Sequence, residues 1–375
     1  MRVGCVRERK DGEERVALTP ESVASLTAHG HEVWTERDAG AESGFEDEQY
    51  VAAGAQLVDD AERIWLESDL LVKVKEPLPS EYGYLNGRAT LFGYLHLAAD
   101  EPLTRALMES GMTAIAPELI RHPNGSFPLL APMSQIAGRM AGEIGAQLLK
   151  RPGPGRGMLT GGVAGVPPAR AVILGSGGVA TAALRTLIGL DAQVTVISDD
   201  LGRLRQLVDQ HGGRIVTRTS SPGTIAGALE GADLAILSIL VPGAHTPKVV
   251  TREMVRSMGK GAVIVDVSID QGGAAETSRP TSHHEPTYVE EGVVHYCVPN
   301  MPGAVPRTST LALTSASLPY LLALADLGTE EALRRDRGLA EALSTYQGKL
   351  VHRPVAETFD LAWHPNPFLG ERENA

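Results

Sequence analysis

Short runs of β-branched and aliphatic residues alternate with helical patterns in two separate parts of this chain. Strands are predicted in the first 120 residues at 2–6, 32–36, 69–74, 89–94 and 112–116. From Arg170 onward, strands are predicted at 171–174, 193–197, 234–239 and 262–267. Because strands that alternate with helices form parallel sheets with helices on both faces, the sequence predicts an α/β fold with two doubly wound, Rossmann-like domains.

The helical patterns differ in length and in composition. Residues 21–29 are predicted to form a helix with Thr19 as its N-cap and Pro20 as its first residue, and residues 179–190 form another. A longer helix is predicted over 133–150. Its small residues form a ridge that favours close helix packing: Gly138, Gly142 and Ala146.

The C-terminal segment is predicted to be helical at 311–327 and 330–346. We expect these helices to pack on the N-terminal part of the chain, which makes that domain discontinuous. The predicted domains are residues 1–130 plus 305–375 and, inserted between them, residues 131–304, with a cleft between the two domains. The tail after Trp363 is expected to be loosely held.

Charge and composition exclude several classes of protein. The 375 residues carry a net charge of −12 without a local basic patch, so nucleic acid is not an expected partner. No uninterrupted apolar run reaches 18 residues, and the start, MRVGCVRERK, lacks the apolar stretch of a signal peptide. We therefore expect a cytoplasmic protein with no membrane partner. Two cysteines, Cys5 and Cys297, exclude a disulfide framework, and Cys297 is interpreted as a packing residue.

A glycine-rich turn stands between the strand at 171–174 and the helix that follows it. The segment Gly175-Ser-Gly177-Gly-Val-Ala180 fits the pattern G-x-G-x-x-G/A. Gly175 allows the tight turn, Gly177 lets the backbone approach a pyrophosphate, and Ala180 permits close packing of helix on strand. The helix N-terminus offers free N–H groups and the positive end of its dipole. The context favours dinucleotide binding over a purely structural turn.

The acidic residue that binds the ribose of a dinucleotide is expected at the end of the next strand. In this chain the strand ends with Ile197-Ser198-Asp199-Asp200, so serine occupies the expected position. Two interpretations stay open. Either a neighbouring aspartate substitutes, or the choice of cofactor is altered.

Four charged or titratable residues follow predicted strands or loops at the edge where ligands bind in open α/β sheets: Arg15, Lys75, His96 and Asp270. A basic pair suits a carboxylate substrate, and a histidine with an aspartate can exchange protons at neutral pH. Each residue also has an ordinary explanation, as a surface charge for Arg15 and Lys75, as a histidine with satisfied hydrogen bonds for His96, or as a cap for Asp270. The adjacent His283 and His284 cannot easily share one ion, so we predict a solvated loop there and no metal site.

Nine segments, in order and spread over residues 1 to about 365, resemble the alanine dehydrogenase and transhydrogenase alpha-subunit family, and alanine dehydrogenases in particular. They are Arg15-Val-Ala-Leu-Thr-Pro20, Val74-Lys75-Glu76-Pro77, Tyr94-Leu-His96-Leu-Ala-Ala-Asp100, Leu130-Ala-Pro-Met-Ser134, Val163-Ala-Gly-Val-Pro-Pro168, Ile269-Asp-Gln-Gly-Gly273, Glu276-Thr-Ser-Arg-Pro280, His295-Tyr296-Cys297 and Asn300-Met-Pro-Gly-Ala-Val-Pro306. The chain departs from the family pattern at Ser198, where the family usually has aspartate, and at Ala180, where it usually has glycine.

The resemblance implies a role for each matching residue. Arg15 and Lys75 would hold a substrate carboxylate, and His96 and Asp270 would be the catalytic acid/base pair. A small pocket would be shaped by Tyr94, Leu130, Met133 and Asn300. The cofactor site would comprise Ser134, Gly175, Gly177, Gly178, Val179, Ala180, Ser198, Asp199, Arg203, Ser220, Ile239, Leu240, Val267, Ser268, Ile269, Asp270, Arg279, Val298, Asn300 and Met301. Residues 1–130 plus 305–375 would then be the substrate domain, and residues 131–304 the dinucleotide-binding domain.

The implied reaction is the reversible, NAD-dependent oxidative deamination of L-alanine to pyruvate and ammonium by a cytoplasmic homohexamer. Ser198 leaves the use of NADP open. The alternatives are a related dehydrogenase for another small amino or imino acid, the soluble part of a transhydrogenase, and a non-catalytic NAD-binding module. The presence of Arg15, Lys75, His96 and Asp270 argues against the last two.

Overall fold

Parallel strands form two separate sheets in the computed structural model, which describes residues 1–239 and 245–370. The strands are β1 (Arg2–Cys5), β2 (Glu32–Glu36), β3 (Gln56–Val58), β4 (Leu70–Lys75), β5 (Thr90–Tyr94), β6 (Thr113–Ile115), β7 (Arg170–Leu174), β8 (Gln193–Ser198), β9 (Ile215–Thr219), β10 (Leu234–Leu237), β11 (Val263–Asp266), β12 (Thr287–Glu290), β13 (Val293–Tyr296), β14 (Leu343–Tyr346) and β15 (Lys349–Leu350).

The helices cover the faces of these sheets or extend from them. They are α1 (Pro20–Ala28), α2 (Asp47–Ala52), α3 (Ala61–Glu67), α4 (Glu101–Ser110), α5 (Ala131–Leu148), α6 (Gly178–Gly189), α7 (Leu201–His211), α8 (Pro222–Leu229), α9 (Arg252–Met258), α10 (Pro306–Leu327), α11 (Thr329–Arg335), α12 (Arg337–Glu341) and α13 (Arg353–Phe359).

Contacts divide the chain into two units. The N-terminal unit consists of Met1–Met133 and Val305–Ala375, and the inserted unit consists of Ser134–Ala304. The first unit is therefore discontinuous, as expected, and the boundary falls in the first turn of α5. Each unit has its own apolar cores, for example around Leu18 and Phe92 in the N-terminal unit and around Ile173 and Ile236 in the inserted unit.

The two sheets share one strand order. In the N-terminal unit the order is β15-β14-β6-β5-β4-β1-β2-β3, and in the inserted unit it is β12-β13-β11-β10-β7-β8-β9. The six strands from β6 to β3 pair in parallel, as do those from β13 to β9. Both are doubly wound sheets whose order reverses beside the first strand, so the predicted fold class is confirmed.

The predicted ends of most helices and strands lie within a few residues of the observed ends, because local sequence features such as caps and glycine turns mark them. Thr19 caps α1, since its side chain accepts a hydrogen bond from the N–H of Ser22 at 3.2 Å. The small-residue ridge of α5 packs as predicted. A β-carbon at Gly138 would lie 2.2 Å from the carbonyl oxygen of Val179, so only glycine allows this approach of α5 to α6.

The prediction of one helix over 330–346 is wrong. The segment forms α11 and α12, because Asp336 accepts a hydrogen bond from the N–H of Leu339 at 3.0 Å and starts a new helix. The chain then extends as β14, which pairs antiparallel with β6. The tail is also better held than expected up to residue 370, since buried Asn366 donates to the carbonyl oxygen of Ala340 at 2.8 Å.

Several strands were not predicted from the sequence: the short strands β3 and β15, the partly exposed β9, and the antiparallel pair β12 and β13. The helix α10 is long and apolar enough to cross a membrane by length and composition alone. Its Leu313, Leu321 and Leu324 are buried in the core of the N-terminal unit. We therefore describe α10 as a core helix.

Candidate functional site

Three of the predicted site residues of the N-terminal unit follow the first, fourth and fifth strands of its sheet. Lys75 is the last residue of β4, His96 lies two residues after β5, and Arg15 lies in the loop after β1. Lys75 and Tyr94 are register partners at the ends of β4 and β5. Since ligands of doubly wound sheets bind beyond the carboxyl ends of the strands, the fold brings these side chains to the expected edge.

The guanidinium of Arg15 is buried and oriented by a neighbouring carboxylate. Its Nε donates to Oε1 of Glu13 at 2.6 Å and its Nη2 donates to Oε2 at 2.5 Å. Burial raises the pKa of Glu13, but the hydrogen bonds and charge of Arg15 outweigh it and the net pKa is below its ordinary value. The Nη1 atom lies 3.2 Å from the sulfur of Met133, a predicted pocket residue. Because Arg15 is only 4% exposed, it is not a surface charge.

The ammonium group of Lys75 is partly buried and lies near the positive charge of Arg15. Burial and then the positive charge of Arg15 lower the pKa of Lys75. Among residues 1–239 and 245–370, no carboxylate lies within ion-pair distance of its Nζ atom. Arg15 is ion-paired with Glu13, and at Lys75 the charges of Glu13 and Glu76 act against those of Arg15 and Lys10. Together the two cationic groups suit the binding of a small anion.

The imidazole of His96 is half-exposed beside these cations. Desolvation and then the charge of Lys75 lower the pKa of His96 to about 4. The ring is therefore neutral at pH 7 and is able to accept a proton. Its Nδ1 atom lies 3.8 Å from Oε1 of Glu118.

Tyr94 and Met133 contribute apolar surface close to these polar groups, since Tyr94 pairs with Lys75 and Met133 contacts Arg15. The Tyr94 hydroxyl donates to the carbonyl oxygen of Leu129 at 2.8 Å, and burial raises the pKa of Tyr94. Leu130 and Met133 pack partly buried against the main core of the N-terminal unit. The three side chains are suited to enclosing a small ligand with little polar surface.

In the inserted unit, the glycine turn has the geometry that its sequence predicts. Gly175 has φ 114°, and a β-carbon there would lie 2.6 Å from the carbonyl oxygen of Ser238. Gly177 is the N-cap of α6, and a β-carbon at this position would meet no atom within 4 Å. Ala180 is buried in the core. The turn thus leaves space beside the unpaired N–H groups of a helix N-terminus, which fits a diphosphate.

The side chain of Ser198 is hydrogen-bonded within the glycine turn. Its hydroxyl is buried, lies 2.8 Å from the hydroxyl of Ser176, and accepts a hydrogen bond from the N–H of Asp200 at 3.2 Å. Asp200 caps α7, since its Oδ1 accepts from the N–H of Arg203 at 2.9 Å. Asp199 and Arg203 are exposed. Of the two aspartates, Asp199 is therefore the one that has no capping role.

The loop after β11 holds Asp270 next to another predicted residue. Oδ1 of Asp270 accepts a hydrogen bond from the N–H of Asn300 at 3.1 Å. The cap of this loop is Asp266, whose buried carboxylate accepts from the N–H of Ser268 at 3.0 Å and of Ala274 at 2.8 Å. The N-terminus of the turn Val267–Gln271 is thus capped by Asp266, and Asp270 is exposed.

The remaining predicted cofactor residues differ in exposure. Ser268 accepts a hydrogen bond from the N–H of Ile239 at 2.9 Å, which joins the ends of β10 and β11. The Arg279 guanidinium lies 3.9 Å from the ring centroid of Tyr288. Gly178 and Val179 begin α6, and a β-carbon at Gly178 would lie 3.2 Å from the Ser134 side chain. Partly or fully buried positions are Val267, Ile269, Val298 and Met301, whereas Ser220 is exposed. Leu240 lies outside the described residues.

Residues expected to have no chemical role have ordinary environments. Cys297 is buried, and burial raises its pKa to about 11. His283 and His284 are exposed. Within the described ranges, no group of three histidine, cysteine, aspartate or glutamate residues is placed to hold a metal ion.

Three buried carboxylates that orient the site were not predicted from the sequence. These are Glu13 beside Arg15, Glu118 beside His96, and Glu8, which accepts from the N–H of Val74 and, at 3.3 Å, from that of Lys75. Glu13 lies in a charged loop two residues from Arg15, whereas His96 lies 22 residues from Glu118 and Lys75 lies 67 residues from Glu8. The contacts of Glu118 and Glu8 therefore have no local signal in the sequence.

Known proteins match this chain over almost its whole length. A sequence profile described as the alanine dehydrogenase/PNT N-terminal domain matches residues 4–137, and one described as the C-terminal domain matches residues 141–353. The chain is 49% identical to an alanine dehydrogenase of Halomonas elongata over 363 residues, 97% of this chain and 98% of the relative. It is 49% identical to one of Mycolicibacterium smegmatis over 361 residues, 96% of this chain and 97% of the relative.

Solved structures give the same result. A structure titled L-alanine dehydrogenase matches with a TM-score of 0.93 and 48% identity, over 96% of this chain and all of that chain. A transhydrogenase from Sinorhizobium meliloti matches with a TM-score of 0.79 over 94% of this chain and 99% of that chain. At 24% identity, the second likeness shows a common fold alone.

Proposed function

The chain belongs to the alanine dehydrogenase/PNT family, and from this premise we propose that it catalyses the reversible oxidative deamination of L-alanine to pyruvate and ammonium with NAD. The observation that carries the proposal is the grouping of Arg15, Lys75 and His96 around the strand ends of the N-terminal unit. This grouping combines two cations for a carboxylate with a neutral base. A protein that only binds a dinucleotide has no need of it.

Arg15 and Lys75 bind the carboxylate shared by alanine and pyruvate. Glu13 accepts hydrogen bonds from Nε and Nη2 of Arg15 and so fixes the plane of its guanidinium, while Lys75 supplies a point charge. Fixing the carboxylate also fixes the α-carbon, which reduces the entropy cost of reaching the reactive geometry. Tyr94, Leu130 and Met133 limit the space for the substrate side chain, which favours a methyl group.

His96 and Asp270 exchange protons with the substrate. When bound, NAD supplies the hydride acceptor. Loss of hydride from the α-carbon leaves an iminium, and water must add to it and lose a proton before ammonia leaves. His96 is neutral at pH 7 and accepts a proton at this stage, while the Asp270 carboxylate, held by the N–H of Asn300, serves the other proton transfers. Each such transfer contributes roughly 10²- to 10⁴-fold to the rate.

The inserted unit binds the dinucleotide at its glycine turn. The N–H groups at the N-terminus of α6 would hold the diphosphate, and Asp199 would offer its carboxylate to the ribose in place of Ser198. A 2′-phosphate would be repelled by Asp199 and Asp200, whereas Arg203 would attract it. We therefore propose NAD as the preferred cofactor, with a smaller margin over NADP than in relatives that have aspartate at position 198. A cytoplasmic homohexamer is proposed on the family resemblance.

The test is the change of absorbance at 340 nm in both directions, with L-alanine and NAD, and with pyruvate, ammonium and NADH. Serine and glycine in place of alanine, and NADP in place of NAD, run in parallel. Alanine-dependent formation of NADH is the expected result. Faster reaction with another amino acid would transfer the assignment to a related dehydrogenase, and cofactor binding without turnover of any of these substrates would contradict the proposal.

A further inference from the structure

The residue that carries the proposed base has an unfavourable backbone conformation. His96 has φ 47° and ψ 38°, in the left-handed region, which residues with a β-carbon rarely adopt. Its carbonyl oxygen accepts a hydrogen bond from the N–H of Ala99 at 2.9 Å. Such a conformation persists only when its surroundings hold it, so the partner of the His96 N–H is decisive.

That partner is a buried carboxylate that follows the next strand of the sheet. Glu118 lies in the 3-10 turn Pro117–Leu119 after β6 and is 8% exposed. Its Oε1 accepts hydrogen bonds from the N–H of His96 at 2.8 Å and of Leu95 at 3.1 Å. These are the first two residues after β5, so one oxygen satisfies both N–H groups at the point where the chain turns.

The same carboxyl group lies beside the imidazole. Its Oε1 is 3.8 Å from Nδ1 of His96, which is too long for a hydrogen bond but close enough for a carboxylate charge to influence the basicity of the ring. The other oxygen, Oε2, is buried and has no hydrogen-bond partner in the described part of the chain. The carboxyl therefore acts on the backbone through hydrogen bonds and on the ring through its charge.

We propose that Glu118 is a positioning residue for His96, which holds the backbone that aims the imidazole and sets the charge beside the ring. The proposal deepens the proposed function and rests on it for the role of His96 in proton transfer. Glu118 itself transfers no proton to the substrate.

Ionisation of Glu118 gives the proposal a measurable pH dependence. Burial raises the pKa of Glu118 to about 7, against the hydrogen bonds from His96 and Leu95 and the charge of Lys75, which lower it. The groups that face it are Lys75 at the end of β4 and Tyr94 and His96 at the end of β5. As pH rises through about 7, Glu118 gains a negative charge, which makes the neighbouring imidazole a stronger base.

The first experiment needs no substrate. In the full chain labelled with ¹³C at histidine Cε1, the His96 signal is assigned by its loss in His96→Gln and followed from pH 5 to 9. We expect a step near pH 7 that reports the ionisation of Glu118 and disappears in Glu118→Gln. The matched control is Glu81→Gln, which alters a buried glutamate that accepts from the N–H of Leu78 and does not contact His96. The control should keep the step.

The second experiment separates binding from turnover. Glu118→Gln keeps an acceptor for the two N–H groups, so kcat should fall only roughly tenfold, with the KM for pyruvate within about twofold of the original. Glu118→Ala removes the acceptor and allows the ring to shift, which should lower kcat roughly a hundredfold. Original activity in both variants, or a step near pH 7 that survives in Glu118→Gln, would overturn the proposal.

The two proposals fail in different ways. If the unmodified chain shows no alanine-dependent formation of NADH, the proposed function fails, but the His96 signal still reports whether Glu118 controls the ring. If Glu118→Ala does not fold, the Gln variant and the signal of His96 decide alone.

Discussion

The N-terminal and inserted units use one strand order to build two different kinds of ligand surface. In the N-terminal unit, the chain after β1 forms a loop that carries Glu13 and Arg15 before α1 begins. In the inserted unit, the chain after β7 passes through Gly175 and Gly177 directly into α6. One site is built from charged side chains, and the other from backbone N–H groups.

The comparison shows that the sheet topology determines where a site lies, whereas the loop after the first strand determines which chemical groups the site contains. Backbone N–H groups at a helix N-terminus fit the many oxygens of a diphosphate without bulky side chains. A small carboxylate offers only two oxygens, so paired cations such as Arg15 and Lys75 are needed to hold it firmly. The shared sheet order thus serves two proposed ligands of unlike size.

Both units nevertheless stabilise their strand ends in the same way. Glu8 accepts from N–H groups at the end of β4, Glu118 from those after β5, and Asp266 from those after β11. Each carboxylate is buried, and Glu8 and Glu118 accept from the N–H groups of Lys75 and His96, two residues proposed to act on substrate. Peptide N–H groups that leave a sheet lose their ladder partners, and a buried carboxylate replaces these partners without adding flexible backbone.

The largest effect is expected from the inserted unit, where Asp270 is the proposed acid/base residue. Asp270→Asn keeps the size and polarity of the side chain but removes the carboxylate, so we expect kcat to fall roughly 100-fold or more. Binding of NADH, measured by fluorescence, should change little. Near-normal turnover would remove Asp270 from the mechanism.

Substrate binding in the N-terminal unit depends on charge, and Lys75→Ala removes one of its two cations. A hydrogen bond to a charged group is worth about 1.5–3 kcal/mol, so kcat/KM for pyruvate should fall roughly 10- to 100-fold. The matched control is Lys349→Ala, which removes an exposed lysine from β15. Unchanged kinetics in the Lys75 variant would show that this residue is only structural.

The glycine turn should be sensitive to shape rather than charge. Gly175→Ala places a β-carbon 2.6 Å from the carbonyl oxygen of Ser238 at φ 114°, which forces the turn to move. We expect a loss of stability of about 1–3 kcal/mol and weaker NADH binding. Gly189→Ala, at the end of α6 where a β-carbon meets no atom within 4 Å, is the control and should unfold at or above the original temperature. Equal unfolding temperatures for Gly175→Ala and the original chain would contradict this account.

The smallest expected effect concerns the choice between NAD and NADP. Ser198→Asp adds a carboxylate beside Ser176, and the ratio of kcat/KM with NAD to that with NADP should rise a few-fold. Asp199→Asn should lower the same ratio, because it removes the exposed carboxylate that repels a 2′-phosphate. If the unmodified chain prefers NADP, then Ser198 and Arg203, rather than Asp199, set the choice.

Much of the fold followed from local patterns in the sequence. The alternation of strands and helices, the cap at Thr19 and the glycine spacing at 175–180 depend on residues within a few positions of one another. Such preferences act before any tertiary contact, so the two doubly wound sheets and the turn were predictable. The positions of Arg15, Lys75 and His96 near strand ends were predictable for the same reason, and the resemblance added their roles.

Tertiary structure alone decided what surrounds these residues. Glu118 reaches His96 across 22 positions of sequence, and Glu8 reaches Lys75 across 67, so no local pattern marks either contact. The segment 343–346 became β14 because β6 offered an unpaired edge, although its own sequence continued a helical pattern. Ser198 stands where the ribose-binding acid is expected, and the tertiary structure brings its hydroxyl to 2.8 Å from that of Ser176 in the glycine turn. Hydrogen bonds between distant segments depend on how the chain packs, and packing is a property of the whole fold rather than of any short stretch of sequence.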